Sequence, residues 1–158
     1  MGRVYTATFE NIPVTVAQDF FELTPAAEKP CVIHGILLYQ STDLGDAAEE
    51  ILRVQIIRGH ATTGSGGGTA TPAPLGSSND TAAGDTTVEI NNTTIASAGT
   101  AVVLYTHYFN TRTGLEFWYP PEARPAASLT NTLLVVRLLA APVDSLTMGG
   151  TLIYEELY

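Results

Sequence analysis

Apolar residues recur along this chain in short runs, most of them with a period of two. In "VYTATF", residues 4–9, Tyr5, Ala7 and Phe9 share one face, and "IPVTV" at 12–16 continues the alternation after a break at Asn11–Pro13. "DFFEL" follows, then a connection between Pro25 and Pro30. "CVIHGILLYQ" is apolar on both faces, as a central strand should be. In "EILRVQIIRG", Leu52, Val54 and Ile56 face one way and Arg53 and Gln55 the other. "TVEINNTTI", "TAVVLYTHYF", "LEFWY", "TLLVVRLLAA" and "TLIYEELY" complete the series. Successive strand side chains point to opposite faces, so this period predicts strands, about eight or nine of them.

Helix signals are scarce. One helical turn is expected near Asp46–Glu50, with Asp46 as its N-cap, and Pro121 and Pro125 forbid a long helix in "PEARPAASLTN". Short strands with regular turns predict an all-β fold, an antiparallel β-sandwich of jelly-roll type, with an immunoglobulin-like sandwich as the alternative. No fixed repeat is visible, and 158 residues suit a single domain, 1–158.

One stretch breaks the pattern. "TTGSGGGTATPAPLGSSNDTAAGD" holds almost nothing fit for a core, so residues 61–87 read as an extended loop or arm within the domain. Pro72 and Pro74 favour an extended conformation that could lie along another protein surface. Deleting Ser65 to Ala83 is then expected to leave the subunit folded while weakening its assembly. "GSGGGT" lacks the lysine of a phosphate-binding loop, and "ATPAP" blocks the helix such a loop requires.

Composition narrows the function classes. Net charge is −9 and Lys29 is the single lysine, so no basic surface is available for nucleic acid or an anionic membrane. Charged residues make up only 15%, where about 25% is usual, which suggests that subunits cover part of the surface. No apolar run reaches transmembrane length and no signal peptide is expected.

Catalytic patterns are missing. His34, His60 and His107 stand singly, without the H-x-H pair of a cupin metal site, although three strand histidines could converge in space. There is no nucleophile elbow, and Cys31 reads as a buried structural thiol. The expectation is no catalytic residue, no metal and no cofactor. Phe117, Trp118 and Tyr119 sit before Pro120–Pro121, and strand alternation must turn at least one ring outward, for a protein contact or for stacking on a sugar. Arg137, inside "LLVVRLLAA", must either be paired or look across a subunit contact, and the contact is the favoured reading.

In "RVYTATFENIPVTVAQDFFEL", "EEILRVQIIRGHATTGSGGG" and "LLVVRLLAAPVDSLTMGGTLIYEEL" the chain resembles small virion proteins of tailed bacteriophages, particularly the β-sandwich decoration (cement) proteins of capsids. The resemblance covers most of the chain, in texture more than in motif, and carries over no functional residue. It implies a non-enzymatic subunit, made in the host cytoplasm and assembled into the virion as a homo-oligomer, a trimer. Its partners would be copies of itself and the major capsid protein or another virion protein. A tail, baseplate or fibre component, or a carbohydrate- or receptor-binding module using Phe117–Trp118–Tyr119, is the alternative. A metal enzyme built on the three histidines is the third reading.

Overall fold

In the computed structural model, residues 2–42, 49–76 and 85–157 are described. They form two antiparallel sheets packed face to face, an all-β sandwich. Strands of four residues or more are β1 (Arg3–Val14), β2 (Gln18–Thr24), β3 (Cys31–Gln40), β4 (Ile51–His60), β7 (Thr87–Asn92), β8 (Val102–Asn110), β9 (Leu115–Trp118), β11 (Leu133–Leu138) and β12 (Leu146–Glu156). Two-residue strands β5 (Gly68–Thr69), β6 (Ala73–Pro74) and β10 (Ala126–Ala127) fill in edges, and one turn of 3-10 helix covers Pro121–Ala123. The helical turn expected near Asp46 lies, except for Glu49 and Glu50, outside the described residues.

Sheet A runs β10-β3-β12-β1-β6, with β9 pairing to β3, and sheet B runs β5-β7-β2-β11-β4-β8. Without the short strands and β7, the orders are β9-β3-β12-β1 and β2-β11-β4-β8. Successive strands then alternate between sheets, except that β4 and β8 are neighbours in one sheet. This double Greek key is the jelly roll, as the alternation in the sequence predicted.

The inner faces come from the apolar sets read off the sequence. Tyr5, Ala7 and Phe9 of β1, Leu52, Val54 and Ile56 of β4, and Leu134, Val136 and Leu138 of β11 all belong to one core with Phe20, Phe21, Ile33, Ile36, Leu38, Leu152 and Tyr154. The segments 4–9 and 12–16 are joined rather than broken. A bulge carries β1 through Glu10–Asn11, with Asn11 at φ 51, a left-handed conformation that asparagine tolerates.

Sheet B carries a second layer on its outer face. After β4 the chain turns back, and residues 62–70 run antiparallel to residues 88–97. Bridges Thr62–Ser97 and Ser65–Thr94 and the β5–β7 pairing hold this ribbon together. Ala96 on the ribbon packs on Ile57, Leu133 and Val135, a small apolar cluster separate from the main core. The chain then crosses to sheet A, where Ala73 and Pro74 pair with Thr6 and Tyr5 of β1. Over its described residues, the glycine-rich segment is therefore laid along its own subunit.

Candidate functional site

The three histidines do not converge. His34 Nε2 meets Glu155 Oε2 at 2.8 Å on the outer face of sheet A. His60 is tied at the ribbon: its Nε2 lies 3.2 Å from Arg137 Nη1, and its Nδ1 lies 3.2 Å from the carbonyl of Ala98. Arginine can only donate, so His60 Nε2 accepts and Nδ1–H donates, which fixes a neutral tautomer in this arrangement. His107 Nε2 is 2.9 Å from the Tyr119 hydroxyl, and burial lowers the pKa of the imidazole. Among the described residues, no three His, Cys, Asp or Glu side chains are placed to hold a metal ion. Burial also pushes the Cys31 thiol up to about 12, too high for an active nucleophile.

The aromatic segment divides as strand alternation requires. Phe117 and Tyr119 point inward, where their rings meet Tyr105 and His107 of β8 at centroid distances between 4.7 and 6.0 Å. Tyr105 donates to the carbonyl of Ala123 at 2.6 Å. This cluster closes one open side of the sandwich, joining the edge strand of sheet B to the edge of sheet A. Tyr119 is only 3% exposed, so neither it nor the half-buried Phe117 can present a ring to a ligand. The outward ring that alternation required is Trp118, which is 54% exposed.

Trp118 has an outward companion that sequence reasoning missed. Two residues before it on β9, the carboxylate of Glu116 takes a hydrogen bond from Trp118 Nε1 at 3.3 Å and, from neighbouring β3, another from the Tyr39 hydroxyl at 3.1 Å. Each ring lies down on a glycine. A Cβ on Gly35 would stand 2.8 Å from the Trp118 ring, and one on Gly114 would run into the Tyr39 ring. Beside Tyr39 a cleft of about 250 Å³ opens over β12, floored by Gly149–Gly150 and walled by Thr8, Glu10 and Gln40. A strand apolar on both faces gave no sign of an outward Tyr39, and only the β3–β9 pairing shows that it shares a carboxylate with Trp118.

Arg137 takes the other course left open to it and is paired within its own subunit. Its Nε and Nη2 donate to the two carboxylate oxygens of Asp19 at 2.6 and 2.9 Å, and Nη2 also donates to the carbonyl of Ala96 at 2.9 Å. The ribbon covers the pair, and the Ala96 amide completes it by donating to Asp19 at 2.7 Å. Beside it, Glu22 accepts from the amide of Gly64 at 2.8 Å, while its other oxygen is buried without a partner. Pro72 is buried and Pro74 half-buried in the pairing with β1, so the described chain itself occupies both proposed contact residues.

The remaining feature is an edge. Three of the four sheet margins are blunted: β5 and β6 have two residues each, the part of β1 that β6 leaves uncovered carries a bulge, Glu10 and Pro13, and β9 and β10 are short and bracket Pro120, Pro121 and Pro125. The fourth margin is β8, nine residues long, "VVLYTHYFN", with no Asp, Glu, Lys, Arg or Pro. Its outer side has no strand partner among the described residues. Val102, Val103 and Tyr108 are exposed along it, with Ile51 of β4 nearby.

No protein-family model matches this chain, and no curated protein matches it in sequence. Among solved structures, a chain in "Structure of infectious bursal disease virus Gx strain" aligns with 99% of this chain and 42% of its own length, at 16% identity and a TM-score of 0.17. A score of that size carries no argument about fold or function.

Proposed function

We propose that this protein is a non-enzymatic structural subunit that self-associates and binds a viral shell, in the manner of phage capsid decoration proteins. The observation that carries the reading is the β8 edge. A long strand edge presents a row of unpaired N–H and C=O groups, and proteins that stay monomeric guard such edges with charge, proline or a short length. Here the other margins are guarded and β8 is not. The described histidines and buried charges support the same reading, since their bonds hold the subunit together. Placement on a virion rests on the resemblance in the three sequence segments, and the major capsid protein is the proposed shell partner.

Sedimentation at micromolar concentration is expected to give an oligomer. Two copies of one edge pair about a two-fold axis and give a dimer; β8 set against a different surface of the neighbour gives the trimer that the resemblance implies. Val103→Lys with Tyr108→Lys is expected to give a monomer with a nearly unchanged thermal melt, because both side chains are exposed. The same variant should no longer co-sediment with phage heads stripped of their decoration protein. A stable wild-type monomer would refute self-association, and an oligomer untouched by the two lysines would refute β8 as its seam.

A further inference from the structure

We propose that the outer face of sheet A binds a neutral sugar chain, with Tyr39 and Trp118 as two stacking platforms and Glu116 between them as hydroxyl acceptor. This inference is independent of the β8 contact, which belongs to the other sheet.

The first argument is the pose of the rings. Each packs against the backbone at a glycine, Trp118 at Gly35 of β3 and Tyr39 at Gly114 in the turn before β9, and each stays partly exposed. Covering a glycine accounts for each ring singly. It does not account for one carboxylate bonding both rings, Trp118 Nε1 to one oxygen and the Tyr39 hydroxyl to the other. That shared bond fixes both rings before any ligand arrives, so little side-chain freedom is left to lose on binding. A flat, immobilised ring face with its negative quadrupole suits the weakly positive C–H face of a pyranose whose hydroxyls are equatorial.

The second argument is the spacing. Trp118 is paired with Gly35, and Tyr39 lies four residues further along β3, so their backbones stand on the order of 13 Å apart along the strand, while the two rings lean together onto the one carboxylate between them. Two faces side by side about Glu116 suit neighbouring units of one sugar chain. The cleft beside Tyr39 extends the track over Gly149, where no side chain rises from β12, and offers Gln40 and Thr8 as polar walls.

The third argument is charge. Glu116 keeps free lone pairs after accepting two bonds, and a carboxylate accepting a hydroxyl makes a strong hydrogen bond. With Glu10 on the cleft wall and a net charge of −9, the face repels acidic glycans. The ligand class is therefore a neutral, equatorially substituted oligosaccharide.

Trp118 is the single tryptophan, so its emission reports the site directly. Titration with cellohexaose and with chitohexaose, to about 10 mM, is expected to give a saturable emission change with at least one of them. Hexagalacturonate, which is acidic, should give none. Tyr39→Ala, remote from the reporter in sequence, should weaken binding about tenfold or more, and Glu116→Ala should do the same. Both variants should melt and sediment as the wild type does. No saturable change with either neutral hexamer, a response to the acidic one alone, or an unaltered response in Tyr39→Ala and Glu116→Ala would overturn the proposal.

Discussion

Replacing Arg137 with alanine is expected to destabilise the protein by about 3–5 kcal/mol, the cost of stranding a buried charge. Asp19 is fully buried, and Arg137 supplies its counter-charge through two hydrogen bonds. Without the guanidinium, the carboxylate keeps only the Ala96 amide, and the Ala96 carbonyl loses its donor as well. Arg137→Lys keeps the charge but not the fork that spans both carboxylate oxygens, so it should recover only part of the loss. Arg137→Met with Asp19→Asn removes both charges and should cost clearly less than Arg137→Ala alone. Urea unfolding of the single and double variants, read as a double-mutant cycle, measures this coupling. A loss below about 1 kcal/mol for Arg137→Ala would mean that the pair is solvated and that the ribbon does not seal it.

Stability is also expected to fall as pH rises from about 4.5 to about 7, and Glu22→Gln should abolish that fall. Burial, reinforced by the neighbouring Asp19 carboxylate, raises the Glu22 carboxyl from 4.5 to about 7. The groups facing it are Asp19 on its own strand, the Gly64 amide on the ribbon and Asn92 on β7, with Arg137 of β11 and His60 of β4 beyond Asp19. The folded state keeps the proton up to about pH 7, whereas the unfolded chain loses it near 4.5. Between those values the folded state binds more protons, so its advantage is full below 4.5 and is lost as pH climbs through 7. Glutamine keeps the carbonyl that Gly64 bonds and an amide that can donate to Asp19, but it does not titrate. At pH 8 the variant should exceed the wild type by on the order of 1–3 kcal/mol, and near pH 4.5 the two should converge. Urea midpoints across that range test it, and parallel curves for the two proteins would contradict it.

The residues at these two sites show what a linear pattern reveals and what it hides. Alternation located the strands and their inner faces, because burial on one side of a pleated strand forces period two; β4 and β11 are legible for that reason. "DFFEL" was legible as a strand, but nothing in it marked its acids as buried. Nothing local indicated that a ribbon some forty residues later would lie over Asp19 and Glu22. "GSGGG" misled in the opposite direction. Glycine serves both a loose chain and a tight approach, and here a Cβ on Gly64 would run into the carbonyl of Thr94, and one on Gly67 into that of Ile90. The run is glycine-rich because two backbones touch. The deletion of Ser65 to Ala83, first expected to be mild, would remove the Ser65–Thr94 bridge and the β5–β7 pairing that hold Gly64 against Glu22. The sugar site divides similarly: Trp118 was visible as an outward ring with Glu116 two residues before it on the same face, whereas Tyr39 joins them only through the β3–β9 pairing.

The place of β12 in sheet A sets the order of folding events. It lies between β1 and β3, and its long pairings are with those two strands. Until it is made, β1 has only two-residue β6 beside it, and β3 has only β9 and β10. Loop closure on that scale is slow, which puts the chain among β-proteins that fold in milliseconds to seconds. On the ribosome, β1 must wait for β12, more than a hundred residues later, with only the two residues of β6 to pair with. A newly made chain is therefore most exposed to wrong strand pairing just before β12 emerges, when crowding by sister chains matters most.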